Sequence, residues 1–150
     1  MAVEKPTRVQ VATNRRARYD YEIEDELEAG MVLTGTEVKS LRDGKAELQD
    51  GYAEIEHGEL FLNQVHIPEY RQGNVFNHEP RRRRKLLAHR EQIDRLHRKV
   101  TEKGYTLVPL ELYFSSGRAK VKLGLARGKK KYDKRESVKA RDVRRELERE

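Results

Sequence analysis

Apolar and polar residues alternate in several stretches of the chain, as they do in half-buried β-strands. Tyr19, Tyr21 and Ile23 occupy one face of the segment YDYEIED, and acidic residues occupy the other. The segment YAEIEHGELFLNQVHI alternates around a central His57-Gly58 pair, which predicts a β-hairpin. The segments TLVPLELYF and AKVKLGLA flank SSGR and predict another hairpin, with one apolar and one polar face.

Helical spacing is clearest between residues 81 and 103. Pro80 suits the first turn of a helix, and Gly104 stands where a glycine cap would end it. The apolar residues that recur along this segment are Leu86, Ile93, Leu96 and Val100. The pattern therefore predicts one long amphipathic helix over 81–103.

These elements together predict a mainly β protein. Five or six strands with few helices favour a small closed antiparallel barrel. We expect a flexible N-terminal segment over residues 1–13, a barrel domain over 14–127, and a basic C-terminal tail over 128–150. The tail has too few apolar residues to hold a helix by itself, so we expect it to be disordered when free.

The distribution of charge points to a polyanionic partner. Charged side chains make up 39% of the 150 residues, against roughly 25% in an average domain. Residues 1–75 hold 9 basic and 15 acidic side chains, a net charge of −6, whereas 76–150 hold 24 and 11, a net charge of +13. The runs RRRRK and KKKYDKR place like charges side by side, and a phosphate backbone would relieve their repulsion.

Signals for catalysis are weak. The chain has no Cys, which excludes disulfides, thiolate metal sites and thiol nucleophiles. Its five His lack metal-binding spacing, and no serine nucleophile motif is present. We expect no enzymatic activity, no cofactor and no metal ion. No stretch reaches the roughly 20 apolar residues of a membrane span, and no signal-peptide pattern begins the chain, so we expect a cytoplasmic protein.

Basic residues that could contact RNA lie in three places. Arg15, Arg16 and Arg18 directly precede the first predicted strand. The run RRRRK would fall in the first turn of the predicted long helix, where cations oppose the helix dipole. Lys120 and Lys122 point from one face of a strand, where RNA contact and ordinary protection of a strand edge explain them equally well.

Four segments of the chain resemble the SmpB family of SsrA-binding proteins. They are NRRARYDYEIEDELEAGMVLTGTEVKSLRDGK, RKLLAHREQIDRL, GYTLVPLELYF and KVKLGLARGKKKYDKRE, in order from Asn14 to about Lys139. The patterns EAG-x-x-L-x-G-x-EVKSLR and GKK-x-x-DKR are specific in combination. The resemblance implies a closed antiparallel barrel with partial likeness to an OB-fold, plus a few helices.

The resemblance also implies a function in trans-translation. Members of the family bind the tRNA-like domain of transfer-messenger RNA (tmRNA). They help to deliver alanyl-tmRNA, with elongation factor Tu and GTP, to stalled ribosomes. The tail would occupy the decoding centre and the empty mRNA channel of the small subunit and become helical there. We therefore expect a non-enzymatic adaptor, acting as a monomer.

The family motifs assign expected contacts to residues of this chain. For tmRNA these are Asn14, Glu28, Leu87 and Lys120 at matching motif positions, and the basic Arg15, Arg16, Arg18 and Lys122 beside them. Because a carboxylate cannot attract phosphate, we expect Glu28 to accept hydrogen bonds from base or ribose donors, or to orient an arginine. Core packing would explain Leu87 equally well.

The tail motif is expected to contact the ribosome. It comprises Gly128, Lys129, Lys130, Lys131, Tyr132, Asp133, Lys134 and Arg135. Many family members have His at the position of Tyr132. Tyrosine is neutral at pH 7, so it would keep a role in stacking on RNA but would lose a role that needs an imidazolium.

Two other functions remain open from the residues alone. One is a structural protein of the ribosome that binds rRNA through its basic extension. The other is an RNA-processing enzyme whose acidic cluster between Glu22 and Glu28 holds Mg²⁺ or acts as an acid–base pair. Co-purified RNA would separate the rRNA-binding protein from the tmRNA adaptor, and metal-dependent RNA cleavage lost in Glu28→Gln would identify the enzyme.

Overall fold

The described part of the chain, residues 8–71 and 76–128 of a computed structural model, contains seven strands and three helices. In chain order they are β1 (Arg8–Thr13), α1 (Ala17–Asp20), β2 (Tyr21–Met31), α2 (Gly35–Arg42), β3 (Tyr52–Glu56), β4 (Glu59–Asn63), β5 (Arg84–Leu87), α3 (Arg90–Lys103), β6 (Thr106–Ser115) and β7 (Arg118–Gly128). The two predicted hairpins are confirmed as β3–β4 and β6–β7.

The strands form one antiparallel sheet that curls into a ring. Its order is β6-β3-β4-β5-β2-β7, and β7 pairs again with β6. The prediction of a mainly β, antiparallel fold is confirmed. The ring is not an evenly closed barrel, because β3 meets β6 only at Ala53 and Leu107. Beyond that point the same edge of β6 is taken by β1.

The main core fills the ring and is closed by α2 and α3. Leu41 comes from α2, and Ile93 and Leu96 come from α3. Gly104 ends α3 in the left-handed conformation with φ 67°, which confirms the predicted cap.

A second, smaller apolar cluster lies on the other side of β6. Leu110 packs there with Val108, Ala17 and Ala126, whereas Leu112 belongs to the main core. The register of β6 against β7 shifts between Pro109 and Glu111, and such a bulge reverses which face the following side chains occupy. The prediction that this hairpin has one apolar and one polar face is therefore wrong for β6.

Three predicted boundaries are also wrong. Residues 8–13, expected to be flexible, form β1 and pair with β6. The predicted helix over 81–103 begins only at Arg90. Its first part contains β5, because Leu86 fits a period of two as well as a helical one. Gly128, placed in the tail, is the last residue of β7 and pairs with Tyr21.

A buried ion pair joins α2 to β5. Glu37 and Arg84 are both fully buried, and the Arg84 Nε–H donates to the Glu37 carboxylate. Arg84 also donates to the carbonyl oxygens of Val65 (2.8 Å) and Pro80 (2.9 Å). Arg82 and the Thr34 N–H donate to the other Glu37 oxygen, at 2.7 and 2.8 Å. This cluster holds the segment before β5 against the barrel.

None of the helices in the described part of the chain combines the length and the apolar character needed to span a membrane.

Candidate nucleic-acid interface

The sheet brings three of the predicted tmRNA contacts into one groove. Gly30 of β2 pairs with Lys120 of β7 on one side and with Leu87 of β5 on the other. Glu28 lies two residues before Gly30 and therefore faces the same side of β2. The lining residues of this surface, called here the Leu87 groove, are Glu28, Gly30, Leu87, Ala88, His89, Gln92 and Lys120.

Leu87 is exposed rather than packed in the core. Strand β5 alternates, with Arg84 and Leu86 buried and Lys85 and Leu87 facing outward. The Leu87 side chain is 55% exposed. Core packing therefore does not explain this residue, whereas an apolar contact surface in the groove does.

Gly30 keeps the centre of the groove open. A Cβ at this position would lie 3.6 Å from the Leu87 Cβ and 3.9 Å from the Lys120 Nζ. A larger side chain would therefore fill the space between the apolar and the cationic wall.

Glu28 is held by a tyrosine that the sequence did not single out. The Tyr113 hydroxyl of β6 donates to the Glu28 carboxylate. Burial of the phenol, together with this hydrogen bond, raises the pKa of Tyr113 well above its ordinary value. The hydroxyl therefore stays protonated and oriented, and within the described part of the chain Glu28 forms no ion pair with an arginine.

Arg18 and Lys122 are bound to acids, although Lys122 lies opposite Glu28, on the same face of the sheet as Lys120. Arg18 contacts Glu26 at 2.9 Å. The Lys122 Nζ lies between Glu26 (3.9 Å) and Glu111 (3.8 Å). Glu111 also pairs with Arg8 at 2.5 Å, which raises the pKa of Arg8 through their hydrogen bond. The cationic charge of these groups is therefore largely compensated.

The remaining predicted contacts lie around α1, away from the Leu87 groove. The Asn14 amide donates to the Pro109 carbonyl at 3.0 Å and lines a separate polar cleft. Arg16 also lines that cleft and lies 4.0 Å from Asp20, and Arg15 is exposed. The structure therefore does not bring Asn14 together with Glu28, Leu87 and Lys120.

The run RRRRK is occupied by contacts within the protein. Arg81 pairs with Asp50 at 3.2 Å. Arg83 pairs with Glu54 (3.0 Å) and Glu56 (2.6 Å) and stacks on Phe61. Arg82 and Arg84 share Glu37, as described above. Because these residues precede α3 and their charges are paired within the protein, neither an opposed helix dipole nor unrelieved repulsion points to phosphate binding by the run.

The acidic cluster of β2 offers no assembled metal site. Glu22 pairs with Arg127 at 2.7 Å, and Glu24 accepts from the Tyr105 hydroxyl at 2.7 Å. Among the residues that the structure describes, no group of three or more His, Asp or Glu side chains could hold a metal ion. The tail residues Lys129 to Arg135, predicted to contact the ribosome, lie outside the described residues.

Comparison with known proteins assigns the chain to a family. The sequence model described as "SmpB protein" matches residues 11–150. The chain belongs to the SmpB protein family. An SmpB relative from Thermobifida fusca, named SsrA-binding protein, is 62% identical over 139 residues, covering 93% of this chain and 87% of the relative. A relative of the same name from Moorella thermoacetica is 60% identical over 140 residues, covering 93% and 90%.

A solved structure shares the fold of this SmpB chain. It is described as "tmRNA-SmpB: a journey to the center of the bacterial ribosome". Its matching chain is 52% identical, superposes with a TM-score of 0.70, and covers 86% of this chain and 94% of its own length. Family membership and fold therefore agree over most of the chain.

Proposed function

We propose that this protein binds the tRNA-like domain of tmRNA through the Leu87 groove and acts in trans-translation. The observation that carries the proposal is the convergence of Glu28, Leu87 and Lys120 around Gly30. Those residues come from three strands that are far apart in sequence and meet on one exposed face. The names of the relatives and of the matching ribosome complex support the choice of RNA.

The groove has the chemistry needed for an unstacked nucleotide. The Leu87 side chain offers an apolar surface on which a base can pack, and Lys120 supplies a charge for phosphate. Glu28 accepts hydrogen bonds only, so it selects base N–H or ribose hydroxyl donors and disfavours phosphate. This combination of apolar, cationic and hydrogen-bond-accepting side chains suits a folded, partly single-stranded RNA domain better than it suits the backbone of a duplex.

In this proposal the barrel and the tail have different roles in delivery to the ribosome. The barrel carries alanyl-tmRNA, with elongation factor Tu and GTP, to a stalled ribosome as a monomeric, non-enzymatic adaptor. The tail residues Lys129 to Arg135, which follow β7, then enter the decoding centre and the empty mRNA channel, where Tyr132 stacks on RNA. The match of the family model through residue 150 supports a tail of the family type.

Binding measurements on single variants test the groove. A transcript of the tRNA-like domain of Thermobifida fusca tmRNA is titrated with the wild-type protein and with Lys120→Gln. Loss of one phosphate contact should weaken binding about three- to tenfold at low salt. Leu87→Ser should weaken it by about tenfold or more, since base stacking on a side chain contributes roughly 1–3 kcal/mol.

Lys85→Gln is the matched control. Lys85 lies two residues from Leu87 on the same strand, and its ammonium is bound to Glu59 at 3.2 Å. Its affinity should equal that of the wild type. Equal weakening by Lys85→Gln and Lys120→Gln, or equal wild-type affinity for an ordinary tRNA transcript, would contradict the proposal.

A further inference from the structure

Cations without an acidic partner mark a surface that continues from the Leu87 groove. Most described arginines lie within 4.0 Å of a carboxylate, as the pairs of Arg8, Arg18, Arg83 and Arg127 illustrate. Arg42, Arg118 and Lys120 form no ion pair among the described residues. Their charge is available to a ligand.

Three adjoining grooves connect these side chains. The Leu87 groove shares Gly30, Leu87 and Lys120 with a second groove, which Arg118 also lines. The second groove shares Phe114 and Gly117 with a third one, which Arg42 lines. The Arg42 guanidinium lies 5.5 Å from the centre of the Phe114 ring, which the second and third grooves share.

Apart from Glu28, the charged side chains that line these three grooves are cationic. Glu28 is the only carboxylate among the described residues that line the three grooves. Arg118 is the exposed first residue of β7, directly after the turn from β6, and Arg42 stands exposed at the end of α2. Other unpaired cations, such as Arg98 and Lys99 of α3, line none of these grooves.

We infer that Lys120, Arg118 and Arg42 form a phosphate-binding band for the strand of RNA that leaves the Leu87 groove. The inference rests on the proposed function, because the band continues that site. Arg118 and Arg42 supply two contacts to the sugar-phosphate backbone, which strengthen binding without reading sequence. The run RRRRK, although denser in charge, has no part in it.

The salt dependence of binding tests the band. The affinity for the tmRNA transcript is measured between roughly 50 and 200 mM KCl, where each phosphate contact adds about 0.7–0.9 to the slope of log affinity against log salt. Arg118→Gln and Arg42→Gln should each lower the slope by that amount. Over this range each variant should therefore lose about threefold less affinity than the wild type.

Two further variants show whether the local positive charge causes the change in slope, rather than a disturbed fold or a lower net charge. Arg42→Lys keeps a cation at the third groove, so its slope should stay at the wild-type value. Arg83→Gln removes the same charge from the run RRRRK, where Glu54 and Glu56 already neutralise it, so its slope should also be unchanged.

The outcomes distinguish this inference from the proposed function. If the wild-type protein binds the transcript, but Arg118→Gln and Arg42→Gln keep the wild-type slope, the band is wrong and the groove stands. A slope lowered as much by Arg83→Gln would also overturn the band, since net charge would then explain the effect. A wild-type protein that does not prefer the tmRNA transcript to tRNA would overturn both.

Discussion

At the scale of single residues, the partner of a side chain decides what it can do. Glu28 and Glu24 lie on the same strand, and each accepts a hydrogen bond from a tyrosine hydroxyl. Only Glu28 faces the Leu87 groove. Tyr113 therefore orients the carboxylate that lines this groove, whereas Tyr105 makes the same kind of bond outside it.

We predict that Tyr113→Phe weakens binding of the tmRNA transcript about three- to tenfold. The substitution leaves the ring in place and removes the hydrogen bond that fixes Glu28, a bond to a charged group. Tyr105→Phe is the matched control and should bind as the wild type does. Fluorescence anisotropy titrations measure both, and equal affinities for the two variants would show that Tyr113 does not position Glu28.

At the scale of elements, local patterns predicted much of the fold. The hairpins β3–β4 and β6–β7 and the cap of α3 follow from turn residues and alternation within about ten residues. Strand β1 could not be predicted, since its pairing with β6 spans about 100 residues. The meeting of Leu87 with Lys120 likewise depends on β2 pairing with both β5 and β7. Sequence motifs identified these residues as candidates, but the pairing of the strands places them in one groove.

The buried ion pair between α2 and β5 predicts a specific loss of stability. Burial would raise the pKa of Glu37, but the hydrogen bonds from Arg82 and Thr34 and the charge of Arg84 outweigh it, so that pKa lies below its ordinary value. Glu37→Gln leaves Arg84 buried without a counter-charge. It should lower the free energy of unfolding by about 3–5 kcal/mol at pH 7.

The pH dependence of that loss follows from linkage. A carboxyl whose pKa is lowered by folding stabilises the protein above its unfolded pKa, about 4.3 for Glu, and loses that stabilisation as pH falls through the folded value. In urea denaturation, the difference between wild type and Glu37→Gln should therefore shrink below about pH 4.3. Glu56→Gln, which removes an exposed partner of Arg83, is the control and should have little effect at any pH.

At the scale of the whole molecule, we expect the barrel domain to bind tmRNA and the tail to act on the ribosome. Strand β7 continues to Gly128, where it pairs with Tyr21 of β2. A truncation that spares the barrel must therefore end after Gly128, since an earlier one would remove pairs of the sheet.

We predict that the chain truncated after Gly128 keeps its affinity for the tmRNA transcript within about threefold of the full-length value. The Leu87 groove and the basic band are complete in it. Tagging of nascent chains on stalled ribosomes should be abolished in a reconstituted translation assay. A large loss of tmRNA affinity on truncation would show that the tail belongs to the primary binding site.

We propose that this protein carries tmRNA, and the RNA that it retains in cells tests this function most directly. The full-length protein and the double variant Leu87→Ser/Lys120→Gln are purified under the same conditions, and the bound RNA is sequenced. The account predicts that tmRNA dominates with the wild type and is depleted with the variant. Ribosomal RNA in the proportions of whole ribosomes, retained equally by both proteins, would contradict it.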